Sequence, residues 1–112
     1  MDILSGTSGN FRKLILAGQF WERDDMDALE EYIDVCIRVG KPDVILDLNR
    51  LTFINSLALG LLVKLHTLCK SAGGKLILFH PQSSVKEVIE ITGLASFMPV
   101  ANNETELDSA MQ

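Results

Sequence analysis

Ser56 is the residue whose type and position are best suited to chemistry. It follows Asn55 at the predicted start of a helix, where unpaired backbone N–H groups and a partial positive charge favour a bound anion. This position therefore predicts a serine that could carry a phosphate. In the alternative interpretation Asn55 or Ser56 is simply the helix N-cap, which is worth about 1 kcal/mol.

The sequence shows no arrangement typical of an enzyme or a metal site. Neither His66 nor His80 lies beside a cysteine or an acidic cluster at ligand spacing, and we expect both to be partly solvated structural residues. Cys36 and Cys69 fall on apolar helix faces, which is typical of small core residues. Ser56 lacks an evident base and acid, and no glycine-rich phosphate loop follows a strand. We expect a protein that is not an enzyme and that uses no cofactor and no metal.

The elements that must position Ser56 are a strand over Asp43–Leu48 and a long helix that opens at Asn55 and Ser56. The strand segment is short, aliphatic and bounded by turn residues. Gly73 and Gly74 are expected to end the helix. Apolar residues at helical spacing predict its buried stripe: Ala58, Leu61, Leu62, Leu65, Leu68, Cys69 and Ala72.

The opposite face of this helix is predicted to be exposed, and it carries Leu57, Gly60, Lys64, Thr67 and Ser71. A bare leucine beside a serine, followed by a glycine and polar residues, is typical of a protein-docking surface. Leu57 could instead fold back onto the preceding loop. Trp21 could belong to the docking surface or cover the open end of an N-terminal hairpin. The candidate partner-binding residues are Trp21, Asn55, Ser56, Leu57, Gly60 and Lys64.

The first third of the chain predicts a hairpin and a helix. The segments are a strand over Asp2–Leu4, a turn over Ser5–Asn10, a strand over Phe11–Ala17 and a connection over Gly18–Arg23. Asp24 or Asp25 is expected to cap the helix, which Gly40 closes and Pro42 prevents from continuing. The apolar positions of the helix are Met26, Leu29, Ile33, Cys36 and Ile37.

The last third predicts two strands and two further helices. The strands are predicted over Lys75–Phe79 and Phe97–Val100. The first of the helices starts at a capping box formed by Ser84 and Glu87, continues through Ile91 and stops at Gly93. The terminal helix is capped by Asn103 and Glu106. The order β-β-α-β-α-β-α-β-α predicts an α/β fold with about four helices and a mixed, mostly parallel sheet. The N-terminal hairpin adds an antiparallel edge.

Length and composition agree with one globular domain over residues 1–112. The chain is 47% hydrophobic and 22% charged, which is inside the globular range. A formal net charge of -5 with scattered basic residues argues against nucleic-acid binding. No secretory signal and no membrane-spanning run is evident. We therefore expect a soluble cytoplasmic protein.

The segment LDLNRLTFINSLALGLLVKLHTLCKSAGGKLILFHPQSSVKEVIEITGL resembles the core of STAS domains, particularly those of bacterial anti-sigma factor antagonists. Members typically read hydrophobic-Leu-Asp-Leu, then Phe/Met-Asp-Ser-Ser/Thr-Gly-Leu-Gly, then a helix. A Gly-Gly or Gly-Lys turn, a strand, Asn/Ser-Pro and a helix ending in Thr-Gly-Leu follow. The similarity extends from about Phe11 to the C-terminus, so the resemblance implies a single STAS-like domain.

The resemblance implies roles for particular residues. Asp47 matches the strand aspartate of the family, and Leu59 and Gly60 match its Leu-Gly pair. Ser56 matches the serine that the partner anti-sigma factor, an ATP-dependent serine kinase, phosphorylates. In such proteins the dephosphorylated form binds the anti-sigma factor and frees the sigma factor.

The chain also departs from the family pattern near this serine. Asn55 replaces an aspartate, Leu57 replaces the second Ser/Thr, and Ala58 replaces a glycine. Gly18-Gln19-Phe20-Trp21 stands where Gly-Glu-Leu-Asp is usual. A carboxylate could orient the serine hydroxyl for phosphoryl transfer, whereas Asn55 can only hydrogen-bond. The substitutions thus shift the surface towards apolar docking.

The resemblance implies a non-enzymatic anti-sigma factor antagonist that binds through the start of the Ser56 helix and is switched by Ser56 phosphorylation. One alternative is a STAS subunit of a larger assembly, such as a lipid-transport ABC complex or a stress-signalling scaffold, in which Ser56 only caps the helix. Another is a module that binds a small ligand or nucleotide in the loops after the strands.

Overall fold

Five strands form one mixed sheet, in which each strand lies beside the next strand along the chain. They are β1 (Asp2–Ser8), β2 (Phe11–Phe20), β3 (Asp43–Ile54), β4 (Lys75–Phe79) and β5 (Val100–Ala101). The β1–β2 pair is antiparallel and the other three pairs are parallel. The computed structural model describes all of residues 1–112. The predicted mostly parallel sheet with an antiparallel edge is confirmed.

Four helices cover the two faces of the sheet. They are α1 (Arg23–Arg38), α2 (Ser56–Ser71), α3 (Ser83–Thr92) and α4 (Glu104–Met111). Helices α1, α2 and α3 share a core of 23 buried residues with one face of the sheet. Leu107 of α4 joins a smaller core on the other face, with Ile45 and Ile77. Adjacent strand residues such as Ile45 and Leu46 enter different cores because successive strand side chains point to opposite faces.

None of the helices combines the length and the apolar character that crossing a membrane requires.

The N-terminal hairpin is longer than the sequence predicted. β1 continues to Ser8 and β2 continues to Phe20, so the predicted turn over Ser5–Asn10 shrinks to Gly9 and Asn10. Ser5 pairs with Leu14 in the ladder, because strand pairing overrides the turn preference of a small-residue segment. Gly9 has φ +58, a value that glycine adopts without strain.

The N-cap of the first helix lies two or three residues before the predicted one. Glu22 is the N-cap residue and makes no side-chain capping bond, whereas Asp24 and Asp25 lie in the first turn. Asp25 instead accepts a hydrogen bond from the N-terminal ammonium of Met1 at 3.4 Å. The expected Asp24 or Asp25 cap was therefore wrong, and the predicted connection reduces to Trp21 and Glu22.

β3 is twice as long as the predicted strand over Asp43–Leu48. It runs to Ile54 and pairs with Phe20 at its far end, although β4 already ends opposite Asp47. The start of α3 lies along the edge that β4 leaves open, where the Ser84 hydroxyl donates to the Thr52 carbonyl at 3.2 Å. The extension of β3 carries the segment that follows it beyond the end of β4.

The predicted capping box at α3 was wrong. The helix begins at Ser83 with Gln82 as the N-cap residue and without a side-chain capping bond, because the hydroxyl of Ser84 donates to β3.

The last strand is shorter than predicted. It covers Val100–Ala101 in place of the predicted Phe97–Val100, since a 3-10 turn over Leu94–Ser96 precedes it. The predicted stop at Gly93 and the Asn103 cap, which accepts from the Glu106 amide at 2.9 Å, are confirmed.

The buried stripe of α2 differs from the predicted one at five positions. Leu68 and Ala72 are exposed and Leu61 is only partly buried, whereas Leu59 and His66 are buried. The helix is rotated so that His66 faces the sheet, where its Nδ1 accepts from the Leu76 amide of β4 at 3.2 Å. The expectation of a partly solvated His66 was therefore wrong, while His80 is exposed.

Cys36 and Cys69 are buried free thiols, as the sequence predicted. Desolvation by burial is the main cause that raises the pKa of the Cys69 thiol to about 11. Both cysteines belong to the core that α1 and α2 share. They contribute apolar packing to the fold.

Candidate functional site

Asn55 caps α2 and ties its start to the sheet. Its side-chain Oδ1 accepts a hydrogen bond from the Ala58 amide at 2.9 Å, and its own amide donates to the Phe20 carbonyl at 3.3 Å. Because both bonds converge on one residue, the ends of β2 and β3 and the start of α2 are held together. The N-cap is therefore Asn55, and the alternative in which Ser56 caps the helix was wrong.

Ser56 is the first residue of α2, and it is exposed. Its hydroxyl makes no hydrogen bond within the chain. The first N–H groups of the helix to be bonded are those of Ala58 and Leu59, which both donate to Asn55. The amides of Ser56 and Leu57 precede these bonds, so the helix tip retains unpaired donors. The first turn of α2 contains no acidic side chain. This geometry leaves the hydroxyl accessible and the surroundings favourable to an anion.

The apolar residues around Ser56 are exposed. Leu57 is 60% exposed, so the predicted exposure is confirmed and the alternative of a leucine folded onto the loop was wrong. Trp21 is 50% exposed and directly follows Phe20, whose carbonyl accepts from Asn55. The structure thus brings Trp21 to the end of the sheet at which Ser56 lies.

Phe53 is a residue of this region that the sequence analysis missed. It is 49% exposed and lies opposite Gln19 in the ladder, one residue before the buried Ile54. Strand alternation gives no clear signal for it, because Leu51 and Ile54, which are three positions apart, both enter the larger core.

A groove of about 280 Å³ separates α1 from the exposed side of α2. It is lined by Arg23, Met26, Asp27, Glu30, Ser56, Leu57, Gly60, Leu61 and Lys64. Four of the six candidate partner-binding residues line it, while Asn55 directly precedes Ser56 and Trp21 is two residues before Arg23. No sequence pattern connects α1 with this surface, because the packing of two helices is not visible in the pattern of either.

Lys64 is less available than the sequence suggested. Its Nζ lies 2.6 Å from Glu30 Oε2 across the groove. The hydrogen bond to Glu30 and the charge of that carboxylate raise the pKa of Lys64. Arg23 also lines the groove, and it makes no ion pair within the chain.

Gly60 has no structural reason to be a glycine. It lies within α2 without a positive φ, and a Cβ at this position would meet no atom within 4 Å. A glycine inside a helix costs about 1 kcal/mol relative to alanine. The fold itself therefore does not account for Gly60, whose missing side chain keeps the groove open.

Asp47, matched to the strand aspartate of the family, is used within the sheet. Its Oδ1 accepts from the Asn49 amide at 2.9 Å, and its Oδ2 lies 3.7 Å from Lys13 Nζ. It is not among the residues that line the groove. Asp47 therefore contributes to strand geometry.

The chain matches the model of the STAS domain over residues 25–107. It is 31% identical over 86 residues to a protein of Bordetella bronchiseptica named "Putative anti-sigma factor antagonist BtrV", which covers 77% of this chain and 74% of the relative. The fold and these matches define a small α/β domain of the STAS type. The chain belongs to the STAS domain family.

Solved structures show the same fold. An anti-sigma factor antagonist from Mycobacterium paratuberculosis superposes with a TM-score of 0.82 at 18% identity, covering 99% of this chain and 94% of that one. The Bacillus cell fate determinant SpoIIAA in its phosphorylated form gives 0.71 at 21% identity, covering 96% and 98%. At these identities the likeness establishes the fold.

Proposed function

We propose that this chain is a non-enzymatic anti-sigma factor antagonist that binds an anti-sigma factor through the start of α2. The observation that carries the proposal is the division of roles between Asn55 and Ser56. Asn55 supplies the helix cap, and Ser56 is left exposed without a hydrogen bond. A serine that the fold does not use is available for a partner and for modification. The family and the names of the relatives favour the same function.

The docking surface consists of Trp21, Asn55, Ser56, Leu57, Gly60 and Lys64. Leu57 and Trp21 offer apolar area, and tryptophan is enriched among the residues that dominate binding energy. Gly60 lets a partner approach the helix backbone closely. The partner would be an anti-sigma factor of the serine kinase type in a bacterial cytoplasm, with no nucleic acid involved.

Phosphorylation of Ser56 would switch this surface off by local electrostatics. A phosphoserine adds about 1.5–2 negative charges beside the exposed Leu57. The groove already contains Asp27 and Glu30, so the phosphate would raise the negative charge that a partner must desolvate. Arg23 and the free amides at the tip of α2 can hold the phosphate without refolding the domain.

The test uses the anti-sigma factor kinase encoded nearest to this gene. Calorimetry would compare wild type, Ser56→Ala and Ser56→Asp, and mass spectrometry would locate phosphate after incubation with the kinase and ATP. We expect Ser56→Ala to bind like wild type and Ser56→Asp to bind at least about tenfold more weakly, which is about 1.4 kcal/mol. Phosphate is expected on Ser56.

Ser71 provides the matched control, because it is an exposed serine at the other end of α2. Ser71→Asp adds the same charge to the same helix, and it should leave binding within about twofold of wild type. Equal binding by wild type, Ser56→Ala and Ser56→Asp would refute the switch. Absence of binding by all three would refute the partner assignment.

A further inference from the structure

Helix α1 carries most of the net charge of the protein. Its segment Arg23–Arg38 contains six carboxylates and two arginines, a net charge of -4, whereas the whole chain has -5. The rest of the chain is therefore almost neutral. A charge concentrated on one element acts on its partners more strongly than the same charge spread over the surface.

Four of these carboxylates form an exposed stripe that the fold leaves unpaired. Asp24, Asp27, Glu31 and Asp34 are exposed, and none of them belongs to an ion pair of the chain. They are spaced three or four residues apart, so neighbouring side chains lie on the same side of the helix and repel one another. Asp24 lies in the first turn, where the helix dipole favours a carboxylate, and the charge of Asp34 helps to raise the pKa of Lys64. For Asp27 and Glu31 no ion pair of the chain offsets the repulsion, so folding does not explain these two carboxylates.

An apolar stripe runs beside the acidic one. Ala28, Tyr32, Val35 and Val39 follow one another at intervals of three or four residues and are all exposed. Val35 is 43% exposed and Val39 is 62% exposed. A shallow depression of about 320 Å³ is lined by Ala28, Glu31, Tyr32 and Val35. Spacing of this kind is what a second helix requires to pack along the first.

This surface borders the groove at Ser56 along its acidic stripe, since Asp27 also lines the groove, but its apolar stripe is separate from the groove. The groove lies on the side of α1 that faces α2, and none of the apolar-stripe residues lines it. The core side of α1 is a third face, formed by Met26, Leu29, Ile33 and Cys36. The outer side of α1 therefore presents apolar and acidic stripes that no other element of the chain covers.

We propose that the outer side of α1 is a second docking surface, and that it binds an amphipathic helix of a partner protein whose apolar ridge is flanked by lysine or arginine. The apolar ridge would pack along Tyr32, Val35 and Val39, and the basic flank would pair with the acidic stripe. Charge decides the class of occupant. A second copy of this chain would bring the same carboxylates together, and anionic membranes and nucleic acids are repelled.

The first experiment uses synthetic helices as probes of the full-length protein. One peptide of roughly 18 residues carries leucines at helical spacing with lysine flanks, a second has the same composition in scrambled order, and a third has glutamate flanks. Amide chemical shifts map the site and calorimetry gives Kd. We expect shifts on the outer side of α1 and binding at least about tenfold tighter for the first peptide than for the others.

The second experiment keeps the lysine-flanked peptide and changes the protein. A quadruple variant should bind the lysine-flanked peptide at least about tenfold more weakly than wild type, and its binding should depend less on salt concentration. Its substitutions are Asp24→Asn, Asp27→Asn, Glu31→Gln and Asp34→Asn. The matched control neutralises four exposed carboxylates elsewhere, with Glu87→Gln, Glu90→Gln, Glu104→Gln and Asp108→Asn. The control should stay within about twofold of wild type.

Four outcomes would overturn the proposal. The scrambled peptide could bind as tightly, the chemical shifts could fall on another face, or the control variant could lose as much affinity as the stripe variant. A concentration-dependent dimer in sedimentation that Val35→Ser abolishes would assign the surface to a second copy and would overturn it as well. None of these results depends on whether Ser56 is phosphorylated.

Discussion

The two ends of α2 use their polar and small residues in opposite ways. At the start, the Ser56 hydroxyl has no partner within the chain, and Gly60 faces open space. Towards the end, His66 accepts the Leu76 amide, and Gly74, just beyond the helix, lies directly against Pro42. The same helix therefore serves an exposed surface at one end and the stability of the fold at the other.

This difference separates residues that the fold explains from residues that it does not. Gly74 is required because any side chain would collide with Pro42 in the connection between α1 and β3. Gly60, in contrast, weakens its helix with no benefit to the packing of the chain. A residue that costs stability without a structural reason is a candidate for function. The comparison can be tested by replacing residues at each end.

The largest expected effect is that of Gly74→Ala. A Cβ at this position would overlap the carbonyl group of Pro42, and that contact is with backbone, which cannot rotate away. Forced overpacking of this kind typically costs about 1–3 kcal/mol, and we expect a loss near the upper end of that range. Urea unfolding followed by circular dichroism would measure it. A loss below about 0.5 kcal/mol would show that the loop moves freely.

The order of elements could be predicted from the sequence because each element has its own pattern. The aliphatic run at Lys75–Phe79 and the helix stop at Gly93 lie where expected. Local patterns could not give the extension of β3 to Ile54, because Asn49 and Arg50 interrupt the apolar run and the extension is held by pairing with β2. Pairing partners that are distant in sequence decide such boundaries.

The candidate site could be predicted in part. The exposure of Leu57 followed from helical periodicity, which placed it opposite the apolar stripe of α2, whereas Ser56 was singled out by its position at the start of that helix. The choice between Asn55 and Ser56 as cap depends on side-chain geometry, which spacing alone does not determine. The groove with Arg23 and Glu30 arises from the packing of two helices, and no sequence pattern encodes it.

The next largest effect concerns pH and the structural end of α2. Desolvation by burial is the main cause that lowers the pKa of His66, and the nearby Lys70 adds to it. The folded protein therefore binds fewer protons than the unfolded chain just below pH 6.5. Stability should be fully present above that value, should fall as the pH drops from there to the lowered pKa of the folded state, and should level off below it.

His66→Asn tests this effect, because an asparagine oxygen can still accept from the Leu76 amide. The free energy of unfolding, measured from about pH 7.5 to about pH 5.5, should depend less on pH in the variant; one proton contributes at most about 1.4 kcal/mol per pH unit. His80→Asn is the control, since His80 is exposed and its φ of +54 suits asparagine. Equal pH dependence in wild type and His66→Asn would contradict the role of His66.

The smallest expected effect, and the one with opposite sign, is that of Gly60→Ala. The added methyl group meets no atom of the chain, so the variant should be more stable by about 0.5–1 kcal/mol, the difference in helix propensity. The same methyl group projects into the groove beside Leu57 and should weaken anti-sigma factor binding. A variant that is both more stable and a poorer binder would show that this end of α2 sacrifices stability for recognition. Unchanged affinity would instead place the partner elsewhere on the surface, and a loss of stability would contradict the open space at Gly60.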